Sequence, residues 1–105
     1  MVDKSRKQQL EEMLQEDPAD SFLRYAVAME YVSEGNDREA LTHFATLLQA
    51  DSSYIAGYHQ SGLALVRLGQ LDRAREILRH GIALAQQQGN LHSAEEMEGL
   101  LASIS

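Results

Sequence analysis

The chain repeats itself at an interval of 34 residues, and that interval limits what it can fold into. Laid over itself at this shift, Gly35 falls on Gly69, Ala40 on Ala74 and Phe44 on Leu78. Upstream, Ala28 falls on Gly62 and Tyr31 on Leu65. Small residues meet small ones, and large apolar residues meet large apolar ones. Shifted once more toward the N-terminus, Leu10 falls on Phe44 and Met13 on Leu47, so the first segment resembles the second half of a unit whose first half is absent. A unit this short cannot bury its apolar face alone. It must stack on a neighbour, and stacking is what a fixed period encodes.

Each unit reads as two helices. In the first, residues 20–34 are apolar nearly all round, with Phe22, Leu23, Tyr25, Val27, Met29 and Val32, so this helix should be covered on more than one side. Gly35 is suited to the left-handed residue that closes it, and Asn36 with Glu39 suits a capping box for the next. Residues 37–50 carry an amphipathic stripe through Ala40, Leu41, Phe44, Leu47 and Leu48. The second unit predicts helices over about 54–68 and 71–87, with Gly69 between them. "QQQGN" at 86–90 breaks the chain, and a last helix over about 91–103 has one apolar face and one acidic face. A stack of repeats needs such a helix at its end. The expected architecture is all-α, an antiparallel helix-pair solenoid of about six helices in one domain over 1–105. Its parts are a half repeat at about 4–18, repeats at about 21–54 and 55–88, and a capping helix at about 90–104.

The one glycine that looks misplaced is Gly62, inside the most apolar helix, where it costs about 1 kcal/mol relative to alanine. Close approach of paired helices explains it, because two helices pack at short distance only where side chains are small. Ala28 and Gly62 on the first helices, with Ala40 and Ala74 on the second, supply that contact.

Composition narrows the function. A net charge of −7 opposes a nucleic-acid backbone or an anionic membrane surface, so neither is an expected partner. With no cysteine, thiolate nucleophiles and Cys-ligated zinc are excluded. The opening "MVDKSRKQQL" is charged and does not read as a signal peptide, and the cytoplasm is the expected location. No two of His43, His59, His80 and His92 stand four residues apart, so no helix presents a two-histidine metal site. There is no Gly-rich phosphate loop and no nucleophile elbow. The chain is therefore not expected to be an enzyme, and no cofactor or metal is expected. Charge is unevenly spread: residues 53–88 hold Arg67, Arg73, Arg75 and Arg79 against Asp72 and Glu76. This basic segment reads either as a solvated face or as a dock for an acidic segment of a partner.

Taken together, the period, the turn glycines, the alanines and the small residue at 28 and 62 resemble the tetratricopeptide repeat in a small bacterial-type protein. The second unit offers Tyr58-x2-Ser61-Gly62-x2-Leu65, then Ala74-x3-Leu78, and the first Arg24-x2-Val27-Ala28-x2-Tyr31, then Ala40-x3-Phe44. Pro18 ends the half unit as the family's proline would. The likeness spans about residues 5–88. It departs from the pattern at Arg24, where a large aromatic is usual, at Ser61, and at Leu47, where a small residue is usual.

The resemblance implies a concave face lined by the first helix of each repeat and used for protein binding. The inward positions would be Phe22, Tyr25, Met29, Val32 and Ser33, then Ala56, His59, Leu63, Val66 and Arg67. Phe22, Tyr25, Met29, His59, Leu63 and Arg67 are the expected contacts for a peptide or helix with apolar anchors. Some family members hold a chaperone's C-terminal carboxylate with Lys and Asn clamps at such positions. Those residues are absent here, and that activity is not inferred. The expected function is a protein–protein interaction module, an adaptor or scaffold. The alternative is a structural or accessory subunit whose exposed stripe pairs with another copy as a homodimer.

Overall fold

A computed structural model describes residues 4–105, so the first three residues of the charged N-terminal stretch lie outside it. Six helices follow in order: α1 Arg6–Glu16, α2 Ser21–Ser33, α3 Asp37–Ala50, α4 Ile55–Arg67, α5 Leu71–Gln87 and α6 Leu91–Ser103. Among the described residues there is no strand.

The helix starts are written locally. Ser5 caps α1 in a reciprocal box: its hydroxyl accepts from the Gln8 amide at 3.1 Å, and the Gln8 carboxamide oxygen accepts from the Ser5 amide at 3.0 Å. The carboxylate of Asp20 accepts from the Leu23 amide, the side chain of Asn36 from the Glu39 amide, and that of Asn90 from the Ser93 amide. At Asn36 only half of the expected box is made. The Glu39 carboxylate turns instead toward His43 one turn on, at 3.9 Å.

The stops are three copies of one device. Gly35, Gly69 and Gly89 have φ of 75°, 76° and 73°. Each sits in a Schellman motif: the Gly35 and Asn36 amides donate to Val32 and Tyr31, those of Gly69 and Gln70 to Val66 and Leu65, and those of Gly89 and Asn90 to Gln86 and Ala85. The residue after each glycine is at once the end of one helix's hydrogen bonding and the N-cap of the next helix. That coupling gives the tight reversal that makes the pairs antiparallel.

The helices stack in chain order, each on the one before it, and α4 also reaches α6. The result is an elongated body of 49 × 28 × 20 Å. Its core is a series of three clusters. Leu14, Leu23 and Val27 form the N-terminal one, Ala28, Ala40, Phe44 and Leu47 the middle one, and Tyr58, Leu78, Ala85, Ala94 and Met97 the last. Phe44 is fully buried, a contribution of about 1.5–3 kcal/mol from its area alone.

Gly62 lies at a close approach, as expected, but its nearest neighbour is Leu78 rather than Ala74. A Cβ at position 62 would stand 2.5 Å from the Leu78 Cδ2. Two further approaches are not signalled by the 34-residue period. A Cβ at Gly81 would meet the Tyr58 Cβ at 2.6 Å and the Met97 sulfur at 2.7 Å. One at Gly57 would meet Leu48 Cδ2 at 2.9 Å and Leu47 Cδ2 at 3.3 Å. Leu47 occupies in the first unit the place of Gly81 in the second, and Gly57 that of Leu23. The bulk of Leu47 is therefore accommodated by an absent side chain on the facing helix.

Candidate functional site

The six expected contact residues stand on α2 and α4 in different states. Phe22, in the first turn of α2, is 64% exposed. Tyr25, one turn on, is half-buried, with its ring 6.0 Å from that of Phe44 and 5.4 Å from that of Tyr54. Burial pushes its hydroxyl pKa up, and neighbouring Tyr54 adds to the rise. Met29 is half-buried against the middle cluster, and His59 and Leu63 are half-buried on α4. Tyr25 and Met29 thus hold the first unit together while presenting an edge outward.

Arg67 is already engaged. Its Nε lies 3.0 and 3.1 Å from the two carboxylate oxygens of Asp37, and its Nη2 is 2.8 Å from Oδ1. This two-pronged pair runs from the end of α4 to the first turn of α3, and the Asp37 side chain is only 12% exposed. The sequence gives no warning of it, because the partners are 30 residues apart and on neither shared helix nor shared turn.

The face continues onto α6, which sequence spacing alone did not include. Helix α5 has 17 residues against 14 for α3, so the 34-residue period slips before α6. Once the slip is allowed for, His92, Glu95 and Gly99 take up the places of Ala56, His59 and Leu63, and all three are exposed. His92 reaches Glu96 at 3.2 Å.

The opposite side of the stack carries clefts. The largest of those described, about 430 Å³, lies between α1 and α3 and is lined by Leu14, Pro18, Arg24, Val27 and His43. Arg24 stands where the second unit has Tyr58. Tyr58 is buried, its hydroxyl donates to the Ser52 carbonyl at 2.7 Å, and its ring lies 4.9 Å from His80. The arginine leaves that space open in the first unit. Two smaller clefts, of about 290 and 240 Å³, share Arg73 as a wall. None of these three is lined by any of the six expected contacts. Among the described residues no group of three His, Asp or Glu is placed to hold a metal, and no helix is long and apolar enough to cross a membrane.

The profile of the tetratricopeptide repeat family matches residues 2–94. The chain is a tetratricopeptide repeat protein. A tetratricopeptide repeat-containing protein of Pseudomonas aeruginosa is 28% identical over 95 residues, which is 90% of each chain. The solution structure of a tetratricopeptide repeat domain protein from Salinibacter ruber superposes with a TM-score of 0.79 at 30% identity, covering 85% of this chain and 90% of that one. Protein BPP2914 of Bordetella parapertussis shares the fold, with a TM-score of 0.86 at 24% identity over 97% of this chain and 89% of its own. So does the TPR2B domain of yeast Sti1, at 0.88 and 18% identity, covering 93% and 78%. The tetratricopeptide repeat fold generally mediates protein–protein interaction, and its members are generally binding modules without catalysis. In this tetratricopeptide repeat protein the six helices pack in adjacent pairs along the chain.

Proposed function

We propose that the chain is an adaptor that binds a peptide or helical segment of a partner protein along the face of α2 and α4. The observation that carries this is Phe22, a large aromatic left 64% exposed at the head of a stripe that continues through the half-buried Tyr25 and Met29. A soluble domain holds such a contiguous apolar surface where something docks on it. His59 and Leu63 would extend the contact onto the second repeat, and an apolar anchor on the ligand would seat between Phe22 and Met29. Arg67, being tied to Asp37, would order the floor of the groove rather than meet the ligand by itself. The TPR2B domain of yeast Sti1 was solved as a complex with pHsp70, which supports a peptide segment as the kind of ligand. The acidic, cysteine-free composition favours the cytoplasm as the setting.

Affinity capture from native lysate with the wild-type chain and with Phe22→Ser tests this. Phe22 is exposed, so the variant should keep its urea midpoint while losing the captured partner. Capture unchanged by Phe22→Ser would remove the groove from consideration. Light scattering on the free chain decides the alternative. A dimer that Phe22→Ser converts to monomer would assign the same stripe to self-association.

A further inference from the structure

The cleft between α3 and α5, over the end of α4, has an apolar floor and a basic rim. Leu41, Ala45 and Leu68 form the floor, and Arg38 and Arg73 stand at the rim with Gln70. In a chain of net charge −7, two arginines facing one cleft call for an account of the acids around them. The acids beside these arginines in sequence lean toward other partners, and Glu76, one turn on from Arg73, lies on the neighbouring cleft that Arg73 also walls. Asp37, next to Arg38, is held by Arg67 at 2.8 Å, and Asp72, next to Arg73, lies 3.4 Å from Arg75. Glu39 leans toward His43. Among the described residues no carboxylate lies within 4.0 Å of either Arg38 or Arg73. Among the described residues, the Arg73 side chain makes one hydrogen bond, from Nη1 to the Gln70 carboxamide oxygen at 2.6 Å. That bond ties the guanidinium to Gln70 at the cleft wall and leaves its other N–H groups without a protein partner among the described residues.

We propose that this cleft docks an acidic segment of a partner protein, with one aliphatic side chain on Leu41, Ala45 and Leu68 and carboxylates on Arg38 and Arg73. Its volume of about 290 Å³ is at the lower end for a small-molecule site, which suits one side chain and its neighbour better than a whole ligand. Arginine is suited to this task, because its planar fork takes a carboxylate on two parallel hydrogen bonds. A nucleic acid offers anions as well, but no aliphatic group for the floor, and its charge density meets the net negative charge of the whole chain. The site is separate from the α2–α4 face and does not depend on what that face binds.

The test is a titration of the isotope-labelled full chain, followed by NMR. The probe is the capped hexapeptide Glu-Asp-Leu-Leu-Asp-Glu, with Lys-Lys-Leu-Leu-Lys-Lys and a short single-stranded RNA as controls. Saturable shifts are expected at Leu41, Ala45, Leu68 and the side-chain N–H groups of Arg38 and Arg73. Binding should weaken as salt is raised. Arg38→Gln with Arg73→Gln should lower affinity about tenfold or more, as for truncating charges that pair at an interface. Both residues are exposed, so the urea midpoint of the variant should stay unchanged. Leu41→Ala should weaken the same peptide without altering the salt dependence. The absence of shifts at millimolar peptide overturns the proposal. So do shifts confined to Phe22, Tyr25 and Leu63, or binding of the basic peptide or the RNA as strong as that of the acidic one.

Discussion

A methyl group added at Gly62 and one added at Gly99 should have opposite effects, although both glycines are helical. At Gly62 the new Cβ would stand 2.5 Å from the Leu78 Cδ2 and 2.8 Å from its Cγ, and Leu78 is fully buried. Overpacking of this kind costs about 1–3 kcal/mol, which exceeds the helix propensity gained of about 0.5–1 kcal/mol. At Gly99 nothing lies within 4 Å, so only the gain remains. Urea denaturation should therefore show Gly62→Ala less stable and Gly99→Ala more stable than the wild type, with Gly62→Leu worse than Gly62→Ala. Equal shifts in the same direction would contradict the packing account. The sequence pointed to Gly62 because its neighbour in the period is Ala28. It could not point to Gly57 or Gly81, whose reasons for being glycine lie on facing helices and in the particular rotamers of Leu48, Tyr58 and Met97.

At the scale of the element, the joint between α1, α2 and α3 contains a titrating group. His43 of α3 stacks on Tyr31 of α2, with ring centroids 5.2 Å apart and planes 14° from parallel, and Lys7 of α1 lies over the same tyrosine, 4.5 Å from its centroid. Burial pushes the His43 pKa down, while the nearby Glu39 carboxylate pulls it up less strongly, Arg24 pushes it down further, and Glu11 on α1 pulls it up least. The unfolded chain then takes up this proton more readily than the folded one. Stability from His43 is complete above the ordinary histidine value of 6.5 and is lost as pH falls from there toward the lowered value. The urea midpoint should drop across that window, and His43→Gln should flatten the drop. A slope unaltered by His43→Gln would show that another group carries it. Helix ends were legible in the sequence because caps and stops are local: Asn36 and the three turn glycines act within a few residues. The engagement of Arg67 by Asp37 was not legible, nor was the slip of register at α6, because both arise from how far one helix runs past another. Of the candidate face, the sequence therefore named residues on α2 and α4 but neither the α6 edge nor the partner of Arg67.

For the molecule as a whole, stability should follow position along the stack. Each helix rests mainly on its neighbours, so the free energy is distributed over units and the joints between them. The N-terminal joint is the thinnest. Leu14 and Leu23 there each keep 8% of their surface exposed, whereas Leu78 and Met97 at the other end keep none. Hydrogen exchange should find the amides of α1 least protected and those of α4 and α5 most protected. Uniform protection across the six helices would mean that the chain unfolds as one body instead.

The exchange of bulk between Leu47 and Gly57 also bears on how such a protein can grow. Were residues 55–88 copied and inserted after themselves, the new joint would set Gly81 where Leu47 now stands, opposite a second Gly57. Two missing side chains would then face each other, a void costing about 2–5 kcal/mol on the scale of buried large-to-small changes. Duplication alone would produce a weaker array, and a leucine would have to arise at the joint for the extra repeat to hold. The fit of neighbours in this sense limits which units can follow one another, and a descendant with the copied unit would bear the mark of that repair.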